Sequence, residues 1–186
     1  MDEIVQKFLR GTGPVLCVDI GSGTQDALLA RPGLECENWP RFVLPAPARL
    51  VAQRIRELTL LKRSIWLYGG NMGGGFTQAI KEHLAAGFAV SATAAATRGI
   101  HDNEEVVRNL GVAVCSTCPE GSVPVFLTDY SPEFWGGLLR QAGLPLPHLV
   151  IAAAQDHGFH THGNRQARMR AWTDLLASSS DPARWI

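Results

Sequence analysis

The chain has no surplus of either charge: 17 Lys plus Arg balance 17 Asp plus Glu. Without a net field there is no reason to expect nucleic acid or an acidic membrane surface as a partner. Long apolar runs are missing too. A stretch such as "LVIAAA" (Leu149 to Ala154) is far too short to span a bilayer. The opening "MDEIVQKFLR" is polar and mixed in charge, unlike a signal peptide. The expected compartment is therefore the cytoplasm. Cysteine is scarce, with four in all. Cys17 stands in an apolar segment, where a thiol behaves as a small hydrophobe, and Cys36 stands alone. Cys115 and Cys118 form one CxxC. A zinc ribbon needs a second such pair, so that site is excluded. An incidental pair and a redox or half-metal pair both remain open. Internal repeats, heptads and low-complexity linkers are also lacking.

What is present is a chain of 186 residues, 46% apolar and 18% charged. That suffices for one substantial core, or for one domain plus part of another. Strand and helix patterns alternate, which predicts an α/β fold. "PVLCVDI" reads as a first strand and "DALLARPG" as a short second one closed by Pro32-Gly33. "ECENWPRFVLPAP" reads as a third strand, bent near Pro40. Leu50, Val51, Ile55, Leu58 and Leu61 form a helical stripe between Ala48 and Arg63. "SIWLYGG" is the next buried strand and "GFTQAIKEHLAAG" a helix ending at Gly87. "FAVSATAAAT" is expected to continue the sheet, and "DNEEVVRNLG" to be a helix from Asp102 to Gly111, capped with the help of His101 and Asp102. "VPVFLTDYS" and "HLVIAAAQDHG" predict two more strands, the second of them buried, around the helix "SPEFWGGLLRQAG".

Three stretches carry candidate chemistry. In "VDIGSGTQD" an acid, a glycine turn and a second acid follow an apolar strand. The segment has no lysine, so it is not a P-loop, and Asp26 stands where a dinucleotide fingerprint needs its third glycine. What remains is a hairpin. Gly21 and Gly23 are expected to take positive φ and expose amides to an anion, with Ser22 and Thr24 as hydroxyl donors. Asp19 would hold Mg²⁺ beside the phosphates, and Gln25 and Asp26 would position water or substrate. The competing reading is a plain turn with a solvated acid. "YGGNMGGGF" joins a strand to a helix; Asn71, Gly73 and Gly74 allow close backbone approach to a ligand, or only tight packing. "AAAQDHGFHTHGNR" delivers Gln155, Asp156 and His157 at a strand's C-terminal end. His157 titrates near neutrality and suits acid/base work. Metal binding by Asp156, His157, His160 and His162, and a merely hydrated loop, are the alternatives. Asn164, Arg165 and Arg168 suit an anion clamp or a solvated helix face.

"VDIGSGTQDALL" resembles the first phosphate motif of the actin, hexokinase and heat-shock ATPase superfamily. Together with "GGNMGGGFTQAIKEHLAAGFAVSATAAAT", "HDNEE" and "AAAQDHG", it makes residues 14 to 172 resemble a prokaryotic family labelled as pyruvate formate-lyase activating enzymes. The superfamily resemblance implies a ribonuclease-H-like, actin-like ATPase fold: a mixed sheet with flanking helices, two lobes, and ATP with Mg²⁺ between them. It implies nucleotide contacts at Gly21, Ser22, Gly23, Thr24, Gln25, Asn71, Gly73 and Gly74. It also implies Mg²⁺ at Asp19 and Asp156, and catalysis by Asp156, Asp26 and His157. Residues 1–147 would form the first lobe and its connections, and 148–186 the start of an incomplete second lobe. Only 28 residues follow "AAAQDHG", without an adenosine-binding glycine motif. The expectation is a truncated chain, a partner chain or second copy completing the cleft, or lost catalysis. The radical chemistry in the label is not expected, because the resembling enzymes carry CxxxCxxC and this chain lacks the third cysteine. Three functions follow: a Mg-ATP-dependent ATPase or phosphotransferase acting on an unidentified small molecule or protein, a noncatalytic nucleotide-binding module, and a metal-dependent hydrolase using the histidine loop.

Overall fold

The computed structural model describes residues 13–71, 75–154 and 164–178. The chain divides into two compact units, Gly13–Asp156 and a second made of Met1–Thr12 with His157–Ile186. In chain order the first unit carries β1 (Val15–Ile20), β2 (Thr24–Ala30), β3 (Arg41–Pro45), α1 (Pro47–Leu60), β4 (Ile65–Gly69), α2 (Thr77–Ala85), β5 (Val90–Ala92), α3 (Ala94–Thr97), α4 (Glu104–Asn109), β6 (Ala113–Val114), β7 (Val123–Leu127), α5 (Pro132–Gln141) and β8 (Leu149–Ala154). The described part of the second unit is one helix, α6 (Asn164–Ser178), which exposes Met169, Trp172 and Leu176.

The strands form two four-stranded sheets rather than one. The first has the order β3-β2-β1-β8, the second β6-β5-β4-β7. In the first, β1, β2 and β3 are an antiparallel meander, and β8 runs parallel to β1 along its whole length, from Val15↔Leu149 to Ile20↔Ala154. The strand assigned from sequence to the start of a second lobe is thus hydrogen-bonded into the first sheet. The second sheet is parallel throughout. Parallel neighbours need crossovers, and α2 supplies the one between β4 and β5.

Alternation decides which face of the first sheet is core. Leu16, Val18 and Ile20 of β1, with Ala27 and Leu29 of β2, pack against Trp135 and Leu139 of α5. Phe42 and Phe134 meet the Trp135 ring edge-on at 6.0 and 5.5 Å. Cys17, Asp19, Asp26 and Leu28 take the other face. The larger core lies around the second sheet. The α1 face of Ala48, Val51, Ala52, Ile55 and Leu58 packs with Ile65, Leu67, Val90 and Leu127, with Phe76 just before α2, and with Ala79 and Ile80 of α2. Full burial of each such side chain is worth about 1.5–3 kcal/mol.

Several local expectations change. "FAVSATAAAT" is a strand only over Val90–Ala92. Thr93 then caps α3, its Oγ1 accepting the Ala96 N–H at 3.2 Å, and the alanine run follows its helix propensity. The next helix starts at Glu104, with Asn103 as cap in place of Asp102; Asn103 Oδ1 accepts the Glu105 N–H at 2.9 Å. A short 3-10 turn at Cys36–Asn38 precedes β3, so the third strand begins only after Pro40. The two-residue β6 carries too little pattern to be read from sequence. The expected burial of β8 fails beyond its first two residues: Ile151 to Ala154 are exposed. Among the described residues, no helix is long and apolar enough to cross a membrane.

One buried imidazole makes the larger core sensitive to pH. The Thr59 hydroxyl donates to the Ile55 carbonyl at 2.8 Å, which leaves its oxygen to accept from His83 Nδ1 at 2.6 Å. Burial pushes the His83 pKa below the ordinary 6.5, partly opposed by the backbone of Ala89. The unfolded chain therefore takes up a proton near 6.5 that the folded chain refuses. Stability is full above that pH and declines as pH falls below it, towards the folded value. A thermal midpoint measured between about pH 7.5 and 5.5 should drop on acidification, and drop less in His83→Gln.

Candidate functional site

The β1–β2 hairpin turns over Gly21 to Thr24, closed by the Gly21 N–H donating to the Thr24 carbonyl at 3.0 Å. This corrects the expected anion nest. Neither Gly21 nor Gly23 has positive φ, and the Gly21 amide is already spent inside the turn. The Gly23 carbonyl accepts the Ala46 N–H at 3.1 Å, tying the turn to the start of α1.

The two acids flanking the turn face each other. Asp19 and Asp26 are directly paired across the antiparallel ladder, and both are exposed. Thr24 Oγ1 donates to Asp26 Oδ2 at 3.3 Å. Among the described residues neither acid forms an ion pair; the ion pairs found there join Arg54–Glu57, Arg56–Glu82 and Arg108–Glu104. Like charges opposite each other in a sheet are destabilising. A dication placed between them reverses that sign, and carboxylate oxygens are the ligands magnesium takes. The pair borders a shallow cavity of about 450 Å³ whose other walls include Cys17, Leu28, Val43, Ile151 and Ala153. Burial in this apolar wall pushes the Cys17 thiol up, so it stays protonated.

A second, polar cavity of about 420 Å³ opens beside the same turn, lined by Ser22, Arg49, Gln53, Arg56 and Gly75 among others. Arg56 is engaged with Glu82 at 2.8 Å, whereas Arg49 has no ion pair among the described residues. The second glycine cluster therefore does come to the first, through Gly75. Gly75 takes φ +98, and a Cβ there would stand 3.2 Å from the Ser22 carbonyl. It leads into α2, whose N-terminal end has no side-chain cap and no acid in its first turn. Gly75→Ala should cost about 1–2 kcal/mol from the left-handed backbone, plus the contact with Ser22. Gly33→Ala, at φ +86 with open space around it, carries the backbone part alone. Thermal melts of the two variants separate the terms, and the Gly75 variant should melt lower.

Other candidates fall elsewhere. Gln25 points to the core face; it is 2% exposed and its Nε2 donates to the Pro45 carbonyl at 3.0 Å. Asn71 is buried and donates from Nδ2 to the Thr128 carbonyl at 3.2 Å, bridging the loops after β4 and β7. Gly73, Gly74, Asp156, His157, His160 and His162 lie outside the described residues, as do the side chains of Asn164, Arg165 and Arg168. Asp156 follows the last residue of β8 by two positions, and β8 ends level with β1. Arg49 was not anticipated. Its only sequence signal was a cation two residues past Pro47 at a helix start.

Fold and site together define an α/β protein with an acid-flanked glycine hairpin at the end of a mixed sheet. A family model described as "Putative pyruvate format-lyase activating enzyme (DUF1786)" matches residues 72–186. That is more than half of the chain, and the chain belongs to this family. The match begins after the hairpin, at the second glycine cluster. No curated protein matches the chain, and no solved structure matches it.

Proposed function

We propose that the chain binds a Mg²⁺–nucleotide polyphosphate at the β1–β2 hairpin, as an ATPase or phosphotransferase domain of the ribonuclease-H-like, actin-like kind. The observation that carries this reading is the direct Asp19–Asp26 pairing on an exposed face, without a cationic partner among the described residues. Two features support it. The sheet order, an antiparallel meander with a parallel strand added beside β1, suits that fold. Parallel strands also gather ligands at their C-terminal ends, which is where β1 and β8 finish together.

In this reading Asp19 and Asp26 hold the metal by their carboxylates. The metal supplies charge neutralisation for the phosphates when bound. Ser22 offers a hydroxyl, Arg49 a guanidinium suited to phosphate oxygens, and the α2 N-terminus its uncapped dipole. Gln25 is assigned no part in phosphate binding, because it faces the core. Asp156, just past β8, is the residue to test as water-positioning base.

The radical chemistry of the CxxxCxxC activating enzymes that the chain was compared with on sequence is no part of this proposal. A site-differentiated iron–sulfur cluster takes three thiolates. The four cysteines sit on β1, on the turn at Cys36, and after β6, all as free thiols. No group of three or more His, Cys, Asp or Glu gathers among the described residues.

Mn²⁺ substituted for Mg²⁺ gives a local test. Added with ATP, it should broaden the amide resonances of Asp19, Gly21 and Asp26 before those of the second sheet. Broadening confined to other regions, or none, would remove the hairpin from the site.

A further inference from the structure

The polar cavity of about 420 Å³ beside the hairpin turn has a wall that the nucleotide reading uses only in part. Arg49, Gln53 and Arg56 of α1 stand at i, i+4 and i+7, the spacing of one helix face, and all three line the cavity. Ser22 and Gly75 border it as well, and among the described residues no acid lines it. Its volume falls within the ordinary range of ligand sites.

The donors of this wall are open to a ligand. Arg49, Gln53 and Arg56 are all exposed. Arg49 has no ion pair among the described residues. Arg56 donates to Glu82 through Nε, at 2.8 Å, which leaves the N–H groups of both Nη atoms for another partner. Gln53 Nε2 donates to Glu57 at 3.1 Å and keeps its second hydrogen. The neighbouring acids are tied down off the cavity, Glu82 by Arg56 and Gln78, Glu57 by Gln53 and Arg54.

A guanidinium fork matches phosphate oxygens two at a time. Seven residues of helix set Arg49 and Arg56 about 10.5 Å apart along the axis. An anion with its charge spread along a chain serves both forks better than one compact group, because each fork then keeps its own pair of oxygens. We infer that this cavity binds a linear di- or triphosphate chain directly, without a metal ion, through Arg49, Gln53 and Arg56. The inference rests on the Mg²⁺–nucleotide reading for its setting. It adds Gln53 and Arg56 to the phosphate contacts, and a mode of binding that survives the removal of magnesium.

Inorganic triphosphate is the probe, titrated calorimetrically in EDTA, with inorganic phosphate as the single-group control. Triphosphate should bind saturably and shift the amide resonances of Ser22, Gln53 and Gly75. Inorganic phosphate should bind about tenfold more weakly or less, having lost one charged contact. Arg49→Gln and Arg56→Gln should each weaken triphosphate by about tenfold or more, for the same reason. Arg54→Gln is the control: Arg54 lies on the same helix, pairs with Glu57 and does not line the cavity. Its loss should leave the affinity nearly unchanged. These arginines are exposed, so the variants should fold. An equal loss in Arg54→Gln would reveal only the general field of the helix and overturn the inference. So would undiminished affinity in Arg49→Gln and Arg56→Gln, or equal affinity for phosphate and triphosphate. No saturable triphosphate binding in EDTA overturns it too, even where Mg²⁺–ATP binds through Asp19 and Asp26. Binding in EDTA that needs both arginines upholds it, even if Asp19→Asn leaves the Mg²⁺–ATP affinity unchanged and so removes the metal from the hairpin.

Discussion

Replacing Asp19 by asparagine is expected to weaken Mg–ATP binding by about ten- to a hundredfold, the loss of one strong charge-assisted contact of roughly 1.5–3 kcal/mol. The variant should fold normally. Asp19 is exposed, on the face of β1 opposite the core, and asparagine keeps its shape. Without magnesium the variant should even gain a little stability, about 0.2–1 kcal/mol, because the like charge opposite Asp26 is removed. Binding and stability therefore move in opposite directions, which a merely structural aspartate would not produce. Calorimetric titration and a thermal melt on the same preparation measure both. Asp26→Asn should reproduce the pattern, although it also loses the Thr24 hydroxyl bond of 3.3 Å.

The largest stability effect should come from Trp135→Ala. Trp135 is 1% exposed and is the largest fully buried side chain among the described residues. It joins α5 to the first sheet, with Phe42 and Phe134 edge-on to its ring. Truncation removes that ring from between Leu16, Val18, Ile20 and Leu139 and leaves a cavity, a loss of about 3–5 kcal/mol. Domains of this size hold only about 5–15 kcal/mol in total, so the variant should be close to unfolding at room temperature. Urea unfolding followed by circular dichroism checks the value. A loss below about 1 kcal/mol would mean that α5 is not anchored through this ring. Phe126→Ala, at a side chain 56% exposed, should cost far less.

Local pattern carried much of this fold. The β1 and β2 hairpin, the helix over the α1 stripe and the helix at Pro132 follow from short-range spacing and form there, but Leu50 and Leu61 of the expected stripe are exposed, and Ala48 and Ala52 take their place in the core. Long-range pairing was not legible. Nothing in "LVIAAA" says that it will lie beside Val15–Ile20, or that the remaining parallel strands will close a sheet of their own. Short alanine-rich segments were ambiguous between strand and helix, and the Thr93 cap settled Ala94–Thr97 as helix.

The site divides the same way. That Asp19 and Asp26 share a face follows from hairpin register, and was open to reading. So was the orientation of Gln25, which has the parity of Ala27 and Leu29 and so turns with them into the core. Arg49 and Gly75 reach Ser22 only through tertiary packing. The negative φ at Gly21 and Gly23 depends on the turn's own hydrogen bond, which glycine content alone does not specify.

Titration of ATP into the purified chain, once with Mg²⁺ and once with EDTA, bears most directly on whether the acid-flanked hairpin is a metal–nucleotide site. Saturable heat in magnesium that weakens by about tenfold or more in EDTA is the predicted result. Affinity unchanged by magnesium, or no binding in either buffer, would contradict it.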